Sequence, residues 1–131
     1  MAEKTKFEIP VLGTPRSPTE IATPFYIEMA VLSGDAANAD SIAVFTPPTG
    51  AVFTACQLQK DATLGAGCTA RLRIGTTTLT AATTAGGASR VIQDASVAPA
   101  NGTDKLNILI GGADITANAT VRVVGFYLVK S

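Results

Sequence analysis

The chain has 131 residues, with 10 Lys+Arg against 10 Asp+Glu, a formal net charge of +0, and neither histidine nor tryptophan. Zero net charge gives no field to attract nucleic acid or an anionic membrane. The missing histidine removes the commonest general base and metal ligand. One domain of this length buries roughly two-thirds of its unfolded surface, so folding needs neither a metal nor a disulfide.

Charged residues are 15% of the chain, against about 25% in an ordinary globular protein. A free monomer so poor in charge is weakly protected against self-association, which implies a surface covered in an assembly. The opening Met-Ala-Glu-Lys-Thr-Lys has no apolar run. We therefore expect a product made in the cytosol, neither exported by a standard signal nor embedded in a membrane.

Residues 1–24 differ from everything after them. Pro10, Pro15, Pro18 and Pro24 recur at short intervals, and six of the twenty charges fall here. That spacing opposes a helix and favours an extended arm. A short apolar cluster, Phe7, Ile9, Val11 and Leu12, is the candidate partner-binding element of the arm, an anchor for a neighbouring subunit. A plain disordered tail is the competing reading.

Residues 25–131 read as one β domain. Phe25, Ile27, Met29 and Val31 alternate with Tyr26, Glu28, Ala30 and Leu32, giving a first strand. After a loop from Gly34 to Asp40, Ser41 to Phe45 is a short strand closed by Pro47-Pro48-Thr49-Gly50, a turn signal. Ala51 to Lys60 follows, with Val52, Cys56 and Leu58 expected on its core face. Cys68, Ala70, Leu72 and Ile74 then alternate with Thr69, Arg71 and Arg73. Thr76 to Ala82 is a Thr-rich strand of high β-propensity, and Ser89 to Ser96 is another.

Asn101-Gly102 is a hairpin-type dipeptide leading to Leu106, Ile108 and Ile110, which alternate with Lys105, Asn107 and Leu109. The last strand carries Val121, Val123, Tyr127 and Val129 on one face and Arg122, Val124, Phe126 and Leu128 on the other. Both faces are largely apolar, which places it in the middle of a sheet. About eight strands without an amphipathic helix predict an all-β fold, an eight-stranded β-sandwich or jelly roll with an extended N-terminal arm.

The chemical constellations are weak. Gly65-Ala66-Gly67-Cys68-Thr69-Ala70 matches the letters of a dinucleotide fingerprint, but that motif needs a helix where this sequence alternates as a strand. A hairpin of 51–60 with 68–75 would face Lys60 to Cys68 and Cys56 to Leu72, so the two cysteines read as separate buried residues. Asp35 and Asp40 suit Asx turns better than a calcium loop. Arg71 and Arg73, with Arg90 or Arg122 expected across the sheet, form a phosphate stripe or, better at zero net charge, a solvated or subunit-contacting face. No catalytic, cofactor-binding or metal-ligating residue emerges, and the chain reads as no enzyme.

Three stretches carry a resemblance: Ala43-Val44-Phe45-Thr46-Pro47-Pro48-Thr49-Gly50-Ala51-Val52, the run from Ala62 to Gly75, and the run from Gly112 to Val123. Together they resemble the jelly-roll capsid decoration or cement proteins of tailed bacteriophages. The two cysteines and the longer proline-bearing front segment depart from that pattern. The resemblance implies a structural virion protein on the outer capsid surface, made in the host bacterial cytoplasm. It further implies binding to the major capsid protein as a homo-oligomer, expected to be a trimer, with no nucleic acid, membrane or cofactor. The alternative is a head-fibre, tail or baseplate module that binds a host receptor or glycan.

Overall fold

The computed structural model describes residues 22–129. They form eight strands and no helix: β1 (Ala22–Val31), β2 (Ser41–Phe45), β3 (Ala51–Lys60), β4 (Thr69–Ile74), β5 (Thr77–Thr78), β6 (Ser89–Ile92), β7 (Leu106–Gly111) and β8 (Ala119–Val129). Two four-stranded antiparallel sheets result, in the orders β1-β8-β3-β6 and β2-β7-β4-β5. Eight strands in two sheets with this interleaved order are a jelly roll.

As its two apolar faces predict, β8 is internal, paired with β1 on one side and β3 on the other. The core lies between the sheets. Leu58, Val121 and Val123 from the first sheet meet Leu72, Leu106, Ile108 and Ile110 from the second, all with almost no exposed surface. Each such side chain contributes about 1.5–3 kcal/mol on leaving water. At one end of the core Phe25, Phe45, Phe53 and Tyr127 form an aromatic cluster, with Phe25 and Phe45 edge-on at 5.2 Å.

β1 begins at Ala22, ahead of the alternation that starts at Phe25, and Pro24 lies opposite Phe126. Proline is tolerated there because β1 is an edge strand, whose outward N–H groups have no ladder to join.

Several sequence expectations are corrected. Val52 faces outward, and Ala51 and Phe53 point into the core. A bulge between Thr54 and Gln57, with Ala55 at φ 54°, reverses the alternation so that Cys56 and Leu58 still point inward. One inserted residue exchanges the two faces of a strand. Gln93 stabilises the bulge: its N–H donates to the Cys56 carbonyl (2.7 Å), and its Oε1 accepts the Cys56 N–H (3.2 Å). Its Nε2 also donates to the Phe53 carbonyl at 3.0 Å.

β3 and β4 do not form a hairpin, because they belong to opposite sheets. Asn101-Gly102 likewise joins strands of different sheets, and the Asn101 side chain accepts the Thr103 and Asp104 N–H groups as an Asx turn. The expected strand from Thr76 to Ala82 has a regular ladder only at Thr77–Thr78. Beyond it, buried hydroxyls replace main-chain acceptors. The Leu72 N–H donates to Thr80 Oγ1 (3.1 Å) and the Ala70 N–H to Thr83 Oγ1 (3.0 Å). The strand expected over Ser89 to Ser96 ends at Ile92, apart from a single bridge from Gln93 to Thr80.

Candidate interaction surface

Most of the polar residues singled out in the sequence hold loops together. Asp35 and Asp40 accept the Leu32 and Ala37 N–H groups, and Asp114 and Asp61 accept those of Asn38 and Thr120. The glycine-rich run Gly65–Gly67 is a turn, with φ of 132° and 75°, leading directly into β4. No helix N-terminus faces it, so the nucleotide motif is lost. Arg71 and Arg73 lie on the outer face of one sheet, whereas Arg90 and Arg122 lie on the other sheet. Neither Arg90 nor Arg122 therefore joins Arg71 and Arg73 across a sheet.

Cys56 and Cys68 are free and buried. Burial pushes the Cys56 thiol up to about 11 and raises Cys68 as well, the latter opposed in part by Lys60. Neither is an activated thiolate. Lys60 points inward at the end of β3, 3% exposed, and donates to the Gly87 carbonyl at 2.7 Å. Burial lowers its pKa, an effect partly offset by Cys68. Among the described residues no three His, Cys, Asp or Glu side chains are grouped to hold a metal ion. Among the described residues no helix is long and apolar enough to cross a membrane. The depressions are open and small, such as one of about 270 Å³ bounded by Ala30, Asp61 and Asn118 and another of about 330 Å³ by Gln59, Lys60 and Arg90.

The feature that stands out is the outer face of the β1-β8-β3-β6 sheet. Because side chains alternate across a strand, the pairing register defines the rows on this face. Ala22, Leu128 and Val52 form the row at the Ala22 end, followed by Pro24, Phe126 and Thr54. Next come Tyr26, Val124, Gln57 and Ile92, and then Glu28, Arg122, Gln59 and Arg90. The face is thus apolar toward Ala22 and charged further along.

Tyr26 is 60% exposed, Ile92 62% and Phe126 45%, large for apolar side chains in one patch. Such a patch marks an interaction surface more often than a solvated one. At the boundary the Arg122 Nε donates to the Tyr26 hydroxyl at 3.1 Å, and its Nη2 meets Glu28 Oε2 at 3.2 Å. Both contacts, the hydroxyl bond first, raise the Arg122 pKa and fix the ring of Tyr26 along the face.

The outer face of the other sheet presents Arg71, Arg73, Asn107 and Thr78. Arg73 Nε donates to Asn107 Oδ1 at 3.0 Å, and Asn107 Nδ2 donates to the Gly75 and Lys105 carbonyls. This flank is mostly polar, with Leu109 half-buried beside Arg71; the opposite flank carries the apolar residues.

The sequence reasoning did not single out this patch. Its outward row on β8 was legible, but joining it to Tyr26 and Ile92 required the strand order. The anchor residues Phe7, Ile9, Val11 and Leu12 lie outside the described residues.

The residues thus define a β-sandwich with an exposed apolar flank and no assembled reaction centre among those described. No family model and no curated protein matches the sequence. Among solved structures, a chain of the cyanophage Pam1 capsid asymmetric unit is similar, with a TM-score of 0.62 and 21% identity over 96% of this chain and 98% of that one. The two chains share a fold along nearly their whole lengths.

Proposed function

We propose that this chain is a structural protein of a phage head, a decoration or cement protein that seats on the outer capsid surface and ties major capsid subunits together. The observation that carries the reading is the end-to-end likeness to a chain of a capsid asymmetric unit. Two features of the chain support it: a charge content of 15% and an apolar flank on an otherwise self-contained sandwich. In this reading the chain acts as a homotrimer and the residues ahead of β1, most of the expected segment 1–24, are an arm. The cluster Phe7, Ile9, Val11 and Leu12 engages a neighbour, and multivalent attachment multiplies individually modest contacts.

The test uses heads of the encoding phage assembled without this chain. Added purified protein is expected to saturate exterior sites visible by cryo-electron microscopy and to raise the temperature at which the genome escapes. Heads that take up no copy and withstand heat equally well without it would overturn the proposal. Binding to a glycan array by protein that ignores heads would favour a receptor-binding module instead.

A further inference from the structure

We propose that the apolar half of the β1-β8-β3-β6 outer face receives the Phe7–Leu12 cluster of a second copy of this chain. The inference rests on reading the residues ahead of β1 as an arm, and it names the surface on which that arm lands. The receiving residues are Tyr26, Val124 and Ile92 in one row, with Phe126, Leu128 and Val52 toward the strand ends. Three of the six are strongly exposed, and nothing among the described residues covers them.

The geometry of the chain's exit supports this occupant. The described chain starts at Ala22, in the outermost apolar row beside Leu128. The residues ahead of β1 therefore join the sheet at the apolar end of the face, away from Glu28 and Arg122. Within that segment, Phe7, Ile9 and Val11 alternate with Lys6, Glu8 and Pro10, so an extended backbone turns one apolar edge toward a flat sheet.

Chain length favours a second copy over the same one. Nine residues lie between Leu12 and Ala22, ten steps of chain, with Gly13, Pro15 and Pro18 among them. At about 3.1 Å per residue for a proline-stiffened segment the spacer reaches ~31 Å. A four-stranded face is only about 14 Å wide, three strand spacings of roughly 4.8 Å. That reach is long enough to bring the cluster onto a neighbouring copy, whereas the same chain's own face is reached only by a turn at Gly13 or the prolines, a path that a disulfide closed within one chain would reveal. An arm passed from copy to copy is a head-to-tail contact, which closes into a ring when the rotation permits.

Disulfide trapping in the full-length protein tests the placement, with no phage head present. The doubly substituted chain Ile9→Cys plus Phe126→Cys is oxidised with glutathione disulfide beside a control, Ile9→Cys plus Thr78→Cys, whose second site lies on the outer face of the other sheet. Native Cys56 and Cys68 are buried, and the unsubstituted chain sets the background.

The expected result is intermolecular crosslinking at least fivefold above the control, together with a solution mass above that of the monomer. Phe126→Lys plus Ile92→Lys is expected to weaken association at least tenfold with an unchanged circular dichroism spectrum. A disulfide closed within one chain, a crosslinked yield no higher than the control, or an oligomer indifferent to the lysine pair would overturn the proposal. These outcomes are independent of head binding: a chain that attaches to heads without this crosslink keeps its function and loses this contact, and the converse result does the reverse.

Discussion

Cys56 occupies the space that a side chain on Gly125 would need: a Cβ built at Gly125 would lie 2.8 Å from the Cys56 Cα and 2.9 Å from its Sγ. The register of β3 against β8 passes from Thr54↔Phe126 to Gln57↔Val124, so Ala55 and Cys56 together oppose the single residue Gly125. The bulge and the glycine are complementary, one bringing main chain inward and the other making room.

Gly125→Ala is therefore expected to destabilise the sandwich by about 1–3 kcal/mol, the usual cost of overpacking a filled core. The Phe25 ring, 3.1 Å from the same built Cβ, blocks relaxation toward β1. The midpoint of urea unfolding, with an unchanged slope, measures the loss; a midpoint equal to that of the parent would show that the bulge yields.

The bulge makes a second prediction of opposite sign. Ala55 holds φ 54°, a left-handed conformation costing an L residue roughly 1–2 kcal/mol. Ala55→Gly relieves that strain and gives back part of the gain as chain entropy, for a net stabilisation of about 0.5–1 kcal/mol. Gln93→Ala should cost about 1–3 kcal/mol, because the Cys56 N–H and Phe53 carbonyl both lose their partner. Thermal unfolding of the two variants beside the parent checks both signs.

The threonines after β5 offer a near-isosteric test. Thr80→Val keeps the volume but removes the oxygen that accepts the Leu72 N–H, leaving a buried donor unpaired at a cost of about 1–3 kcal/mol. Thr83→Val should do the same to Ala70. Hydrogen exchange at the Leu72 and Ala70 amides, read by NMR, should accelerate in the corresponding variant alone if each hydroxyl protects the amide it faces.

Alkaline pH should destabilise the protein through Cys56. The unfolded thiol ionises near 9.0 and the folded one near 11, so between those values the native state retains a proton that the unfolded state has lost. Stability then falls as pH rises across this window, by of order 2 kcal/mol. Lys60, lowered below 10.5 by burial, pulls the other way, since there the unfolded state holds the extra proton. Urea titrations of Cys56→Ala and the parent at pH 8 and 10.5 isolate the thiol: the variant should lose less stability over that interval.

The alternation of β1, β4, β7 and β8 was legible in the sequence because each sets apolar residues two apart against a two-layered core. The reading failed where a local rule was overridden. Val52 was placed inward because nothing in Ala51 to Lys60 marks a bulge: the left-handed residue is Ala55, not glycine. The threonines after β5 have strand propensity, yet they spend their hydroxyls on β4. The outer apolar face escaped notice because Tyr26, Phe126 and Ile92 come onto one face only through the pairing of β1, β8, β3 and β6.

The position of β8 has a consequence for how the molecule is made. Strands β1 and β3 have no ladder with each other; both wait for Ala119–Val129, the last strand of the sandwich to leave the ribosome. Until it arrives, β1 has no partner strand, so a nascent chain has no finished outer face on this sheet before β8 has been made. The order of translation itself thus withholds that face from copies still lacking β8.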